Sequence, residues 1–319
     1  VGAIDDWREL GAGIKLAGQL AAALVLVLSG VTMDVVTLPF LGRVEFNEAG
    51  DVLTLIGLVA LMNVVNFSDG IDGLAAGVCA ISAAAFAIIA FDLGKDAAGV
   101  LAAITAGAAV GFLVHNFHPA SIFMGDAGSN LLGLLLACVA IQGVLKTAAV
   151  VALFFPLLIL AVPALDATFV VAKRIKYRRP VYSADRWHFH HRFANIGFSQ
   201  RRTVLYLYGW TLSLAALALA MRFVPYSEDD GTLHAGWTLV IVAFAAVAVA
   251  ASVYLVVVLE ILKFRRFRER EIRRQVETGE LPELSEAEID AEIGREVETG
   301  EFEAVRPPET GEFEAVARD

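Results

Sequence analysis

Eight stretches of this chain are nearly free of charge and close to twenty residues long, and that property limits what it can fold into. They run roughly over 12–33, 51–67, 73–93, 97–117, 127–146, 148–172, 203–223 and 236–262. A hydrocarbon core of about 30 Å takes about twenty apolar helical residues to cross. In lipid, only helices and closed barrels satisfy their own backbone. The pattern predicts an all-α polytopic membrane protein with eight transmembrane helices, the sixth kinked at Pro156 and Pro163. Composition agrees, since 57% of the 319 residues are hydrophobic and the mean hydropathy is +0.66. Ala and Gly abound, as expected where helices pack closely in lipid. Cys79 and Cys138 lie inside apolar segments, with no disulfide framework or zinc spacing.

The formal net charge of −10 is unevenly placed. Residues 275–319 hold 15 acidic and three basic side chains, a net of −12, which leaves the rest at +2. Two segments follow: 1–274, embedded in the membrane, and 275–319, an acidic tail read as disordered and cytoplasmic. The tail repeats ETGEFEAV at 298–305 and 309–316. It is either an interaction segment or a solvated extension. No nucleic-acid partner is expected. The chain begins Val1-Gly2-Ala3, which reads as a fragment without its natural N-terminus.

Lys and Arg orient the spans. Residues 173–202 hold nine of them, and seven more follow the last span, from Lys263 to Arg274. By the positive-inside rule both are cytoplasmic. Counting crossings backwards puts Asp5-Asp6, the 67–72 turn and the 117–126 loop on that same side. The 34–50 connection, with Pro39 and Gly42, reads as an external hairpin without chemistry.

Every unusual polar cluster falls on that side, and ionisable groups at a membrane boundary usually serve a site. Asp5-Asp6 opens a helix that also carries Lys15 and Gln19; Lys15 is either a partner for lipid phosphate or a snorkelling side chain. In NVVNFSDGIDGLAAG, residues 63–77, Asp69 and Asp72 are three apart and would share one face of a helix start. Two carboxylates there repel a diphosphate unless a divalent cation bridges them. Mg²⁺, with Mn²⁺ as its substitute, suits hard oxygens, and Asn63 and Asn66 add neutral ones. The alternative is a helix-capping turn. In HNFHPASIFMGDAGSN, residues 115–130, Asp126 is a second carboxylate at a glycine-lined helix start, again with an N-cap as alternative. Asn116 and Phe123 are placed to hydrogen-bond or stack on a planar base, or simply to pack. In DRWHFHHRF, residues 185–193, His188, His190 and His191 stand between Arg186 and Arg192. The spacing lacks the pattern of a zinc site and suits phosphate contact, with interfacial packing as the rival. Asp166, inside the sixth span, either pairs with a neighbouring helix or reaches the site.

Taken in order, GAIDDWRELGAGIKLAGQ, NVVNFSDGIDGLAAG, HNFHPASIFMGDAGSNLLG and DRWHFHHRFANIGFSQRR resemble the polyprenyl-phosphate N-acetylhexosamine-1-phosphate transferase superfamily. H-x-H-H-R followed by G-x-S-Q-R is similar to the branch that loads N-acetylglucosamine 1-phosphate, rather than the muramoyl-pentapeptide branch. The resemblance implies roles. Asp126 would hold Mg²⁺, assisted by Asn66 or Asp69. Asp72, Asn116, Phe67, Gly70 and Phe123 would contact uridine. Asp5 and Asp6 would bind or deprotonate the lipid phosphate, with Lys15 nearby and Asp5 as base. His188, His190 and His191 would face the diphosphate and sugar. The implied protein has eleven spans, this chain holding the last eight. It sits in a bacterial inner membrane, alone or as a homodimer, and uses a UDP-sugar and a polyprenyl phosphate. The rivals are a muramoyl-pentapeptide transferase, a transporter and a non-catalytic membrane scaffold.

Overall fold

The structure is a computed structural model that describes residues 1–8, 10–33, 35–38, 42–46, 48–145, 160–162, 164–165, 168, 199–225, 234–277 and 289. Most of the sixth predicted span, Asp166 included, the histidine cluster with Arg192, and nearly all of the acidic tail lie outside them. The chain divides into two compact units, Val1–Val253 and Tyr254–Asp319. Of the second, the described residues are 254–277, helical throughout, and position 289.

The described elements are helices α1 (Gly2–Trp7) and α2 (Ala12–Leu28), strands β1 (Val35–Leu38) and β2 (Gly42–Glu45), then helices α3 (Glu48–Ser68), α4 (Leu74–Asp92), α5 (Asp96–Asn116) and α6 (Gly125–Val139), and finally α7 (Gln200–Phe223) and α8 (Ala235–Glu277). A π-helical stretch, Ala140–Leu145, continues α6. Among the described residues, six helices are long and apolar enough to cross a membrane, and α2 is a shorter apolar helix. The all-α membrane architecture expected from the apolar stretches is what forms. Seven of the eight stretches coincide with these helices, and the remaining one, 148–172, is described only at 160–162, 164–165 and 168.

Two local expectations are corrected. Asp5 and Asp6 do not open the helix of Lys15: α1 ends at Trp7, and the chain turns before α2 begins at Ala12. Gly11 and Gly13, poor helix formers, flank that new start. α2 also stops at Leu28 rather than 33, a length of about 25 Å at 1.5 Å per residue. Past it, the Met33 amide donates to Thr54 Oγ1 at 2.8 Å. The hairpin expected over 34–50 does form, β1 and β2 pairing antiparallel from Val35 opposite Glu45 to Leu38 opposite Gly42.

α4 is the hub. It is apolar on every side and mostly buried, packed against α5, α6 and α7. Phe86 and Ile89 are fully enclosed, with Val65, Leu136 and Ala218 around them. Lipid tails are as apolar as leucine, so close van der Waals contact holds such helices together, and small residues permit it. Gly133 shows how close: a Cβ there would stand 2.6 Å from Met62 Cα and 2.8 Å from the Leu61 carbonyl. That contact sets α6 against α3. Successive helices from α3 to α6 run antiparallel and α7 runs parallel to α4, so the ends of α3 and α5 meet the starts of α4, α6 and α7 at one end of the bundle. At the opposite end, Arg222 Nε faces Asp92 at 2.5 Å as an ion pair, though not in hydrogen-bond alignment.

Candidate active site

Polar groups gather at the first of these ends. The centre is the start of α6. Gly125 takes a left-handed φ of +62°, and Asp126 lies in the first helical turn. Lys15 Nζ donates to Asp126 Oδ2 at 2.9 Å and forms an ion pair with Asp5 as well. Asn66 Nδ2 holds the other oxygen, Oδ1, at 2.9 Å, and also reaches Ser129 Oγ. Asp126 is thus oriented from α2 and α3 at once.

Asp5 is only 8% exposed. Its Oδ1 accepts the Leu10 amide at 2.7 Å, a bond the break between α1 and α2 makes available. Hydrogen bonding with the Asp126 carboxyl lowers its pKa, burial opposes, and Lys15 and Leu10 add to the lowering; the outcome is about 2. Asp6 points elsewhere. Its Oδ1 accepts the Asp126 amide at 2.7 Å and its Oδ2 the Ala127 amide at 3.1 Å.

One turn deeper, three amides tie α2, α3 and α6 together. Gln19 Nε2 donates to Asn130 Oδ1 at 2.7 Å, and Asn63 Nδ2 donates to Gln19 Oε1 at 2.9 Å. Asn130 Nδ2 in turn donates to the Asp126 carbonyl at 2.7 Å. Buried amides left unpaired would be costly, so this set fixes the register of the three helices. Beside it lies a cavity of about 250 Å³. Asp5, Lys15, Gln19, Asp126 and Asn130 line one part, and Ala22, Met62, Leu131 and Leu134 the other. It is polar at the charged cluster and apolar along the helices.

Asp69 and Asp72 lie in the connection between α3 and α4, not on a helix face as their spacing suggested. Gly70 and the left-handed Gly73 (φ +81°) keep that segment turning. Burial pushes Asp69 up to about 6, and the negative charges of Asp126 and Asp6 push the same way. Asp72 turns to the 117–124 loop, where its Oδ2 faces His118 Nδ1 at 2.9 Å and accepts the Ala120 amide at 3.0 Å. Asn116, 3% exposed, fastens the same loop: its Oδ1 accepts the Gly73 amide and its Nδ2 donates to the Ile122 carbonyl. Phe123 is 76% exposed, and Phe67 is half-buried in the last turn of α3. From α7, Tyr208 donates to the Gly73 carbonyl and Arg201 Nε donates to the His118 carbonyl at 3.1 Å.

The structure therefore brings Asp5, Lys15, Asn66 and Asp126 into direct contact, and Asp69 within their electrostatic reach. Asp72, from the α3–α4 connection, and Asn116, at the end of α5, fasten the 117–124 loop that carries the exposed Phe123. His118, Gln19, Tyr208 and Arg201 were missed as site residues. His118 stood inside a quoted motif, but a single histidine has no periodicity to mark it. Arg201 ends the G-x-S-Q-R stretch, where nothing gave it a role of its own, and Tyr208 sits in α7 with no local signal.

Among the described residues, no group of three or more His, Cys, Asp or Glu side chains converges tightly enough to enclose a metal. A cation that takes most of its ligands from phosphate and water still fits, because Mg²⁺ commonly uses only one or two carboxylates. Asp69 and Asp126 supply that number. The upward push on Asp69 from its acidic neighbours marks surplus negative charge that a divalent cation would relieve.

Known proteins resemble this chain over 69 to 77% of its length. The model of the family described as "Glycosyl transferase family 4" matches residues 1–144. A probable undecaprenyl-phosphate N-acetylglucosaminyl 1-phosphate transferase of Bacillus subtilis is 37% identical over 69% of this chain and 62% of its own length. A decaprenyl-phosphate N-acetylglucosaminephosphotransferase of Mycobacterium leprae is 38% identical over 77% of this chain and 67% of its own length. A phospho-N-acetylmuramoyl-pentapeptide-transferase of Desulforudis audaxviator is 36% identical over 69% of this chain and 70% of its own. The chain spans 62 to 67% of the length of the first two relatives.

Proposed function

Because this chain belongs to glycosyl transferase family 4, we propose that it moves N-acetylglucosamine 1-phosphate from the UDP-sugar to a polyprenyl phosphate in a bacterial inner membrane, with UMP released on the cytoplasmic side. One observation carries the reading. Lys15 bridges Asp5 and Asp126 at the polar part of a cavity whose apolar wall includes Ala22, Met62, Leu131 and Leu134. A phosphate on a long apolar chain is the kind of molecule such a cavity accepts.

In the reaction, an oxygen of the lipid phosphate attacks the β-phosphorus of the UDP-sugar. A new phosphorus–oxygen bond forms, and the bridging bond to the α-phosphate breaks with UMP as leaving group. Little covalent chemistry is asked of the protein beyond in-line positioning and charge neutralisation. Lys15 holds the lipid phosphate and lowers the repulsion between the two anions. Asp5 fixes Lys15. A carboxyl at about 2 is a weak base near neutrality, and a phosphate monoester with a second pKa of about 6 is mostly dianionic there already. Direct attack then needs no proton removal by Asp5. Asp126 and Asp69 would hold Mg²⁺, which when bound supplies a Lewis acid for the phosphoryl oxygens. Asn66 orients Asp126. The 117–124 loop offers Phe123 for stacking on the uracil and Asp72 for a hydrogen bond to it.

The test is UMP release by the membrane-embedded protein with a short polyprenyl phosphate, with and without Mg²⁺. UDP-N-acetylglucosamine and UDP-N-acetylmuramoyl-pentapeptide are supplied in turn. Release with the first alone supports the reading. Release with the second alone moves the protein to the muramoyl branch, and release with neither ends it.

A further inference from the structure

We infer that the two adjacent carboxylates divide their work: Asp5 faces the cavity, while Asp6 is a positioning residue that caps α6 and sets how Asp126 is presented. The inference rests on the proposed function only for what Asp126 does; the cap stands on geometry.

A helix leaves its first backbone N–H groups without internal partners, and a side-chain oxygen commonly accepts one of them. The residue at the N-cap of α6 is Met124, which makes no such bond. Asp6 takes the task from outside the helix, with one carboxylate oxygen on the Asp126 amide and the other on the Ala127 amide. Its charge also suits the positive end of the helix. Both oxygens are thus occupied. Moving Asp6 away would leave those two N–H groups of the helix start without this partner.

The surroundings are shaped to this contact. A Cβ on Gly125 would stand 2.7 Å from Asp6 Oδ1, and its φ of +62° is one that side chains rarely tolerate. A Cβ on Gly2 would stand 2.5 Å from Ala127 Cα, so α1 lies directly on the start of α6. Gly125 leaves the space that Asp6 fills, and Gly2, far from it in sequence, lets α1 approach closely enough for the contact. Asp5, next along the chain, points to the other side of α1 and lines the cavity with Lys15 and Asp126. Asp6 does not line it.

The test compares Asp6→Asn, Asp6→Ala and Asp5→Asn in the membrane-embedded protein, by UMP release and by hydrogen exchange at the amides of residues 126 and 127. Asn keeps one acceptor oxygen but turns an N–H₂ group toward the second amide, so half of the cap survives. Turnover should fall about tenfold in Asp6→Asn and about a hundredfold in Asp6→Ala, on the order of one lost charged hydrogen bond per step. The KM for the UDP-sugar should stay within about threefold, and exchange at 126 and 127 should quicken in the same graded order. Gly125→Ala, which pushes a methyl into the carboxylate, should resemble Asp6→Ala and provides a second variant should that one fail to insert. Asp6→Asn as inactive as Asp6→Ala, with both amides still protected, would overturn the inference, because the charge and not the cap would then matter. Were the wild-type protein to release no UMP at all, the proposed function would fail, while the exchange data would still decide whether Asp6 is the cap.

Discussion

Lys15 Nζ lies 2.9 Å from Asp126 Oδ2 while also paired with Asp5, so one ammonium from α2 joins carboxylates carried by α1 and α6. Two carboxylates this close would repel each other if both carried charge, and the ammonium between them offsets that repulsion. The same cation stands beside a cavity large enough for part of a lipid. It is therefore the first point at which substrate and protein charges must be balanced.

Replacing Lys15 by Met keeps the apolar stem and removes the charge. The kcat/KM for polyprenyl phosphate should fall about a hundredfold, as for loss of a charge-assisted contact to phosphate. The KM for the UDP-sugar should change by less than about threefold. Initial rates across both substrate concentrations separate these, and a rise confined to the UDP-sugar KM would place Lys15 at the wrong substrate.

Asp126→Asn and Asp5→Asn should each abolish UMP release, the first by removing the orienting centre of the cluster and the second by freeing Lys15. Circular dichroism should show the helices intact. Near-normal turnover in either variant would refute its assignment.

Asp69 sits at about 6, so it is mostly protonated below that pH and ionised above it. Protons and Mg²⁺ compete for the same carboxylate. At limiting Mg²⁺ the rate should therefore fall as pH drops through about 6, by up to about tenfold per unit. Raising Mg²⁺ should shift this limb to lower pH. A limb that ignores the Mg²⁺ concentration would separate Asp69 from the metal.

His118 holds Asp72 Oδ2 at 2.9 Å. His118→Ala should leave Asp72 free to rotate and raise the KM for the UDP-sugar about tenfold, the usual scale for losing an outer partner of a ligand-holding group. His118→Asn should recover part of this. An unchanged KM in His118→Ala would show that the Ala120 amide alone suffices to set Asp72.

Gly133→Ala puts a methyl 2.6 Å from Met62 Cα, where only backbone can give way. Overpacking of this kind costs roughly 1–3 kcal/mol. A thermal melt in detergent should show a lower midpoint, and an unchanged one would mean that α3 and α6 separate more easily than their packing implies.

Much of this protein was written in local patterns. Charge-free runs marked where helices would form, because lipid offers the backbone no other partner. Asp69 and Asp72 beside Gly70 and Gly73, and Asp126 between Gly125 and Gly128, marked the ends where chemistry could gather. The break between Asp5 and the helix of Lys15 also has a local cause, because Gly11 and Gly13 flank the start of α2. The division of labour among the acids was not legible there. Asp5 and Asp6 are chemically identical neighbours, and neither spacing nor composition says which one faces a cavity. That was decided by α1 lying against α6, and by glycines that admit one carboxylate and its partner amides. Local propensity acts between residues a few positions apart and so is readable along the chain. A hydrogen bond from position 126 to position 6 exists only once the helices have packed.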